Sequence, residues 1–335
     1  MNKVAVLLSV YNGSSYLRKL LDSLLNQTYK SFDLIVRDDG SVDNSIAILK
    51  EYEPHLNIKW VGRKLKKTTH NVTNLAKSFI FLTEYAFKHH YDYYFFCDQD
   101  DIWLQNKIKD QVNYLYKVKY PCLVHSDLIL IDENDNIIAN SVWLWQKINP
   151  YRNNYKMLLF QNTVTGCAAA FNKKLASLLF SIPEKINHDN WASIIASIEG
   201  KVVPIEKKLI FYRQHNKNIS GAGEKLNFKF TRTVSGFLVL VLFLFCSLFK
   251  KNFNFKNTKF NDTYILIDEA KRIGRYVVSI TKNLPQNDII WINKLLKLEK
   301  LSFYKRVMFI KNSNFLPDNF YRKTFLLILL LFKRN

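Results

Sequence analysis

The chain has 335 residues, of which 48% are hydrophobic and 23% charged, so it has the material for a substantial core and is not intrinsically disordered. Its net charge is +21, and from residue 221 onward there are 21 Lys and Arg against 7 Asp and Glu. The four cysteines have no metal-ligand spacing, which excludes a zinc module and favours a reduced, cytoplasmic compartment.

The first 131 residues alternate β-like runs with helical stretches, a pattern typical of βαβ units and a mainly parallel sheet. The expected strands are 4–10, 32–37, 58–61, 93–97 and 122–131, and the expected helices are 15–26, 43–52, 71–89, 102–116 and 191–198. No cleavage-site pattern precedes the first strand, so we expect no secretory signal in this sequence. Ligands of open α/β sheets lie at the carboxyl ends of the strands, where polar motifs of this chain cluster.

The second expected strand ends in Asp38-Asp39-Gly40-Ser41. A turn that caps the next helix explains Gly40 and Ser41, since glycine permits unusual backbone angles and serine is a favoured cap. It explains the two acids poorly. Asp38 and Asp39 are therefore candidates to accept hydrogen bonds from a nucleobase or from ribose hydroxyls.

Three carboxylates stand within four positions in Asp98-Gln99-Asp100-Asp101, directly after the apolar run 93–97. Such a concentration of negative charge resists desolvation unless it has a counter-ion. Carboxylate oxygens suit Mg²⁺ or Mn²⁺, which complete their shells with substrate phosphates. The tetrad predicts a divalent metal and a diphosphate substrate; the alternative is an acidic loop that caps the following helix.

An ordered series of motifs extends over about residues 3–222. In chain order they are Tyr11-Asn12-Gly13, Tyr16-Leu17, Gln27-Thr28-Tyr29, Asp38 to Asp43, Asp98 to Leu104 with Lys107, Thr165-Gly166-Cys167, His188-Asp189 and Tyr212-Arg213-Gln214-His215. With this series the chain resembles family-2 glycosyltransferases of the GT-A fold, specifically their rhamnosyltransferase-like branch. The implied fold is α/β: an open, mainly parallel nucleotide-diphospho-sugar transferase-like sheet flanked by helices. Two positions depart from the family pattern, Ser78 in place of Asn and Asn190 in place of an aromatic residue.

The resemblance also implies the site. Mn²⁺ or Mg²⁺ is expected at Asp98 and Asp100, with His215 as a late ligand, and Asp100 as the more direct one. Asp189 is the candidate base that deprotonates the acceptor hydroxyl, and a helix cap is its alternative role. The expected substrate-binding residues are Tyr11, Asp38, Asp39, Lys77, Gln99, Trp103, Thr165, Gly166, Cys167, His188 and Arg213. Among them, Arg213 is expected to pair with phosphate oxygens, and Trp103 either packs under the acidic loop or stacks on a sugar.

The function implied is inverting transfer of a sugar from a nucleoside-diphosphate donor to a lipid-linked or growing glycan. Rhamnose from dTDP-rhamnose is the leading donor, and UDP-hexoses or UDP-N-acetylhexosamines are the alternatives. A non-catalytic glycan-assembly scaffold is the rival of another class, disfavoured because every candidate carboxylate is present. We expect no nucleic-acid partner, because the basic residues flank apolar runs rather than alternating with aromatic ones.

The C-terminal third contains two apolar runs, 234–249 and 325–332, and each is flanked by basic residues on both sides. A sixteen-residue helix reaches roughly 24 Å, short of the roughly 30 Å hydrocarbon core, which disfavours a clean span and a transporter. We expect a catalytic domain at 1–222 and, at 223–335, a helical region that lies on the cytoplasmic face of the cell membrane. Buried core helices with snorkelling lysines are the alternative.

Overall fold

A computed structural model of the chain describes residues 2–62, 72–216, 218, 260–281, 284–311, 315 and 316. Its strands are β1 (Val4–Val10), β2 (Phe32–Asp38), β3 (Ile58–Trp60), β4 (Tyr93–Cys97), β5 (Ile102–Trp103), β6 (Cys122–Ile131), β7 (Ile137–Ala139), β8 (Ala169–Asn172) and β9 (Lys201–Arg213). Its α-helices are α1 (Leu17–Leu25), α2 (Ser45–Tyr52), α3 (Val72–Lys88), α4 (Lys107–Leu115), α5 (Val142–Gln146), α6 (Tyr155–Leu158), α7 (Lys173–Ala176), α8 (His188–Glu199), α9 (Phe260–Ile280), α10 (Gln286–Leu296) and α11 (Phe303–Lys311). Short 3₁₀ turns lie at Gly166–Ala168 and Leu298–Lys300.

In the described part of the chain the strands form one sheet in the order β3-β2-β1-β4-β8-β6-β9-β5, with β7 paired to β6. β1 pairs in parallel with β2 and β4, and β6 pairs in parallel with β9. β8 lies between β4 and β6 and is antiparallel to both. The predicted open sheet flanked by helices is confirmed; it is a mixed sheet, with β8 as a reversed strand at its centre.

Strand β1 shows why the sheet is buried on both faces. All seven of its residues are buried. Ala5 and Leu7 belong to one hydrophobic cluster, whereas Val6 and Leu8 belong to the other. Successive side chains of a strand point to opposite faces, so a continuous apolar run fits a sheet that is covered by helices on both sides.

The predicted helix 102–116 is wrong at its start. Ile102 and Trp103 form strand β5, which pairs antiparallel with Phe211 and Ile210 of β9, and the helix begins only at Lys107. The reason is tertiary: Trp103 N donates to Ser23 Oγ at 3.0 Å, and β9 supplies the strand partner. The acidic tetrad therefore lies between β4, which pairs with β1, and β5, which pairs with β9.

The C-terminal helices α9, α10 and α11 pack into the same hydrophobic cluster as the helices over the sheet. Trp291 of α10 stacks on Phe309 of α11 at 5.4 Å and meets Tyr155 of α6 edge-on at 6.1 Å. Trp191 of α8 likewise contacts Tyr276 of α9 at 5.6 Å. The described part of the region predicted as a second domain thus shares its core with the first.

Among the described residues, no helix combines the length and the apolar composition needed to cross a bilayer. The two apolar runs 234–249 and 325–332 lie outside the described residues.

Candidate functional site

A pocket of about 630 Å³ opens at the edge of the sheet where β1 and β4 end. Nine of the sequence-predicted site residues line it: Tyr11, Asp98, Gln99, Asp100, Thr165, Gly166, His188, Asp189 and His215. They come from five separate parts of the chain. The sheet topology brings these parts together because the carboxyl ends of parallel strands meet at one edge, where the antiparallel β8 begins.

Gln99 joins the two loops that follow β1 and β4. Its Oε1 accepts a hydrogen bond from Tyr11 N at 2.9 Å, and its Nε2 donates to Tyr11 O at 3.0 Å. A Cβ at Gly13 would lie 2.4 Å from Gln99 Oε1, so a larger residue there would displace the Gln99 amide. Gln99 therefore holds the Tyr11 loop in place as well as lining the pocket.

Asp39 lies behind the pocket wall at the end of β2. Its Oδ2 accepts hydrogen bonds from Ser9 Oγ at 2.8 Å and Ser78 Oγ at 2.7 Å, and its Oδ1 accepts one from Arg37 Nε at 2.9 Å. Ser9 lines the pocket, whereas Asp39 does not. The departure from the family pattern at Ser78 thus touches the carboxylate expected to bind the nucleotide.

Asp38 makes a local turn. Its carboxylate accepts hydrogen bonds from Gly40 N at 3.2 Å and Ser41 N at 3.1 Å, and Gly40 has a φ of +100°, which favours glycine. These bonds form a turn within the motif and do not cap α2, which begins at Ser45 after Asn44. Asp38 does not line the pocket.

The acidic loop concentrates charge as the sequence predicts. Desolvation, together with the charges of Asp100 and Asp189, raises the pKa of Asp98 to about 8. Asp101 is fully buried; its Oδ1 accepts from Arg213 N at 3.0 Å, while its Oδ2 has no hydrogen-bond partner among the described residues. Burial, then the nearby charges of Asp100 and Asp98, raise its pKa well above the usual range.

These residues fit a divalent cation. Ligand atoms of Asp98, Asp101 and Cys167 all lie within 4.8 Å of one another, and one buried carboxylate oxygen there lacks a partner. Burial raises the pKa of the Cys167 thiol well above its usual range, so it stays protonated and is a poor ligand. The hard oxygens of the carboxylates suit Mg²⁺ or Mn²⁺.

His215 lies beside Asp100. Its Nε2 is 2.9 Å from Asp100 Oδ2, and Asn218 Nδ2 donates to the same oxygen at 3.2 Å. The His215 ring stacks on Tyr16 with 4.9 Å between ring centroids. The predicted ligands Asp100 and His215 are thus adjacent, and each orients the other.

Arg213 does not lie in the pocket, where it would have to be to pair with phosphate oxygens of a substrate as predicted. The side chain is fully buried and does not line the pocket. Its Nε donates to Asp100 O at 2.9 Å, its Nη1 donates to Asp132 O at 3.0 Å, and its guanidinium pairs with Asp135 at 2.5 Å. Because the guanidinium is engaged below the acidic loop, Arg213 supports that loop and does not reach a phosphate in this conformation.

Three further predicted substrate residues also lie outside the pocket lining. Trp103 is buried, with Lys107 Nζ 4.1 Å from its ring, which is the packing alternative rather than a sugar contact. Cys167 is buried behind the acids, and Lys77 is exposed on α3. Burial of the first two side chains, and the outward position of the third, explain why none lines the pocket.

Asp189 stands in the first turn of α8 and lines the pocket together with Asp98, whose pKa its charge helps to raise. Burial raises the pKa of Asp189 to about 6, although hydrogen bonds from Asn190, Asn162 and Gly166 oppose the rise. The Asn190 N–H donates to its Oδ1 at 2.7 Å. A carboxylate that is almost buried, lines the pocket and titrates near neutrality has the properties of a general base.

His188 is wedged next to Asp189. Its ring stacks on Phe79 at 4.0 Å and meets Phe96 edge-on at 4.5 Å, and burial lowers its pKa to about 3, so it is neutral. Its Nε2 faces no hydrogen-bond partner among the described residues. A Cβ at Gly166 would lie 2.9 Å from that nitrogen, so the small residue leaves room for the ring.

Sequence reasoning assigned no role to several lining residues: Ser9, Asn12, Ser15, Tyr16, Leu75, Glu133, Asn187, Tyr212, Asn216 and Asn218. Ser9, Asn12, Tyr16 and Tyr212 stand in or beside the quoted motifs, so their position at strand ends was a usable signal. Glu133 arrives from the β6–β7 turn, and nothing in the local sequence indicates that this turn folds over the pocket.

The protein-family model described as "Glycosyl transferase family 2" matches residues 5–179 of the chain. An uncharacterized glycosyltransferase of Rickettsia bellii is 27% identical over 240 residues, which cover 67% of this chain and 32% of that protein. The Escherichia coli protein named UDP-Glc:alpha-D-GlcNAc-diphosphoundecaprenol beta-1,3-glucosyltransferase WfgD is 26% identical over 194 residues, 57% of this chain and 69% of that protein. The chain spans only about a third of the length of the first curated relatives that it matches.

The fold has a solved counterpart in S. aureus TarS 1-349 in complex with UDP-GlcNAc. The TM-score is 0.51 at 15% identity, with 92% of this chain and 84% of that chain covered. This likeness concerns the fold, which is of the GT-A type. Since the family model covers just over half of the chain, and the motifs it spans line one pocket, the protein belongs to glycosyl transferase family 2.

Proposed function

We propose that this protein transfers a sugar from a nucleoside-diphosphate donor to an acceptor hydroxyl, with inversion at the anomeric carbon. One observation carries the proposal: the pocket is lined by the carboxylates of Asp98 and Asp100 from the acidic loop and by the separate carboxylate of Asp189 from α8. Transfer of this kind needs one group of residues for the leaving diphosphate and a different group for the attacking hydroxyl.

On the donor side, Asp98 and Asp100 would hold Mg²⁺ or Mn²⁺, with His215 beside Asp100. When bound, the cation supplies Lewis-acid stabilisation of the negative charge on the departing diphosphate. Tyr11 would hold the nucleotide, and Asp39, which does not line the pocket, would act through Ser9, whose hydroxyl donates to it at 2.8 Å.

On the acceptor side, Asp189 would accept the proton of the attacking hydroxyl. A pKa of about 6 keeps most of the carboxylate ionised at neutral pH, yet basic enough to assist proton transfer. His188 remains neutral beside it and lines the pocket, with its Nε2 buried next to Gly166.

The donor sugar is the finer part of the proposal. The rhamnosyltransferase-like motifs favour dTDP-rhamnose. The name of the E. coli relative and the ligand of the TarS complex support UDP-hexoses and UDP-N-acetylhexosamines. The E. coli relative's name also supports a lipid-diphosphate-linked saccharide as acceptor. An acceptor of that kind would place the enzyme at the cytoplasmic face of the membrane.

The test is Mn²⁺-dependent binding and slow hydrolysis across a panel of dTDP-rhamnose, UDP-glucose, UDP-galactose and UDP-N-acetylglucosamine. We expect one donor to be selected, and Asp100→Ala to lose the metal dependence. Asp110→Ala, a carboxylate on α4 that pairs with Lys207 outside the pocket, is the matched control. Failure of folded protein to bind any donor would contradict the proposal and favour a non-catalytic scaffold.

A further inference from the structure

Helix α11 carries an exposed apolar face that the catalytic proposal does not use. Tyr304 is 71% exposed, Phe303 56% and Met308 38%. The opposite side of the helix, with Arg306, Phe309 and Ile310, is buried. The helix is therefore anchored in the core on one side and presents large apolar side chains on the other.

The spacing of these residues makes a continuous stripe. Tyr304, Met308 and Lys311 stand at i, i+4 and i+7, so they share one face of the helix. Lys305 and Lys311 are exposed, as are Lys297 and Lys300 in the preceding turn. The stripe is therefore apolar and aromatic in its middle and basic at its margins.

The charge around the stripe has one sign. Between residues 284 and 311 there are six basic and two acidic residues. Both acids are engaged elsewhere: Asp288 pairs with Lys156 at 2.8 Å, and Glu299 pairs with Lys271. No acidic residue occurs in the helix itself, so nothing within it offsets an attraction to an anionic surface.

We propose that the face formed by Phe303, Tyr304, Met308, Lys305 and Lys311 is a membrane-contact surface that lies on an anionic lipid leaflet. Aromatic and apolar side chains with lysines beside them are the composition of a helix that rests in the headgroup region. Lysines near an anionic leaflet add electrostatic attraction. In the sequence the chain then continues to the apolar run 325–332, which is itself bounded by basic pairs.

A second role for this face would be to pack against another segment of the same chain. That occupant would have to neutralise the surrounding lysines, and both apolar runs of the C-terminal third lack acidic residues. Charge complementarity therefore favours lipid. The inference deepens the membrane part of the proposed function, but it does not depend on which donor the pocket binds.

The test uses the full chain with a fluorescent label at one introduced cysteine. Cys97, Cys122 and Cys167 are buried and will not react in the folded protein, and Cys246→Ser removes the fourth. Met308→Cys places the label on the proposed surface. Tyr116→Cys places it on an exposed aromatic position of the catalytic part, where Tyr116 is 54% exposed against 38% for Met308.

We expect phosphatidylglycerol-containing vesicles to blue-shift the Met308→Cys label and to make it accessible to lipid-borne quenchers, while the Tyr116→Cys label responds little. Pure phosphatidylcholine vesicles and high salt will weaken the response, because salt screens the lysines. Combined Phe303→Ser, Tyr304→Ser and Met308→Ser changes will lower the vesicle partition coefficient of the unlabelled protein by about tenfold or more.

Two results would overturn the proposal. Vesicle binding without any change at the Met308→Cys label would mean that membrane contact lies elsewhere. A label already shielded without vesicles would mean that another segment of this chain covers the face. Donor binding is measured on the same labelled proteins without vesicles, so failure of the transferase proposal is seen separately.

Discussion

The side-chain amide of Gln99 closes two hydrogen bonds on the backbone of Tyr11, at 2.9 Å to the N–H and 3.0 Å to the carbonyl oxygen. A residue from the acidic loop thereby fixes the loop after β1 as a neighbouring strand would. The acidic loop and the loop after β1, which both line the pocket, are consequently held together as one unit.

Gln99→Leu is expected to break this unit. Each lost hydrogen bond costs about 1 kcal/mol, so the free energy of unfolding falls by about 1–3 kcal/mol, and the donor KM rises because the Tyr11 loop is released. Thermal unfolding and donor titration measure the two effects. Gln105→Leu, on the loop before α4 and outside the pocket, is the control; an unchanged donor KM in Gln99→Leu would contradict the clamp.

Gly166→Ala is expected to disturb His188. The added Cβ would lie 2.9 Å from His188 Nε2, and the ring cannot retreat because Phe79 and Phe96 hold it. Overpacking of this kind costs about 1–3 kcal/mol. Thermal unfolding measures the loss.

The double variant Gly166→Ala, His188→Ala separates the contact from other effects. Removal of the ring removes the clash, so the alanine at 166 will cost less in this background than in the wild type. Equal costs in both backgrounds, measured as a double-mutant cycle, would show that the two residues are not coupled.

Asp189 predicts an acid limb in the rate of transfer. Its pKa is raised to about 6, so the carboxylate is progressively protonated below that pH and can no longer accept the hydroxyl proton. The transfer rate at saturating substrate is expected to fall about tenfold per pH unit below the limb. Asp189→Asn will bind donor normally and lose transfer; equal loss of donor binding would contradict the role.

His125 predicts sensitivity of the fold to acid. Burial lowers its pKa to about 3, whereas an unfolded histidine titrates near 6.5. The unfolded state therefore binds the extra proton first, and stability is lost as the pH falls from about 6.5 towards 3, by about 1.4 kcal/mol per pH unit for each such group.

His125→Phe keeps an aromatic ring beside Trp143, whose centroid is 5.4 Å away, and removes the titrating nitrogens. The slope of unfolding free energy against pH will become shallower in this variant. Denaturant unfolding at a series of pH values measures it, and an unchanged slope would rule out His125 as a source of the acid sensitivity. His188 has a similarly lowered pKa and will keep its own share of the slope.

Trp291→Ala is expected to destabilise the catalytic part of the chain. Trp291 is 6% exposed and touches Tyr155, Phe309 and Phe315, so truncation leaves a cavity that costs about 3–5 kcal/mol. Trp60→Ala, which removes a 39% exposed ring, is the matched control and will cost much less. Comparable losses in thermal unfolding would contradict a shared core.

The sequence predicts β1, β4 and β6 at their observed bounds because each is an unbroken apolar run between turn residues. Strand β9 was not predicted: Pro204 and the charges Glu206, Lys207 and Lys208 interrupt its pattern, and its pairing with β6 forms at long sequence separation. The two-residue β5 depends on β9, so it was taken as the start of a helix. The local sequence pattern identifies strands whose own residues form a continuous apolar run. It does not identify strands that form only because they pair with a strand distant in sequence.

The site shows the same division. Acids at strand ends, such as Asp98 and Asp100, were found because their charge conflicts with the buried strand before them. Arg213 and Trp103 were assigned to substrate because they stand in motifs, yet burial turns both towards the protein. Glu133 lines the pocket because the turn between β6 and β7 folds over it, and the local sequence does not predict the path of that turn.

Helix α8, which carries Asp189, rests against α9 through Trp191 and Tyr276, and Arg272 of α9 donates to the backbone carbonyls of Glu184 and Lys185 just before α8 begins. The family model ends at residue 179, ahead of both helices. The helix that carries Asp189, the candidate base, therefore depends for its packing on a helix about 70 residues downstream. A chimera that exchanges acceptor preference between relatives must move α8 and α9 as one block, because either helix alone would meet a foreign surface.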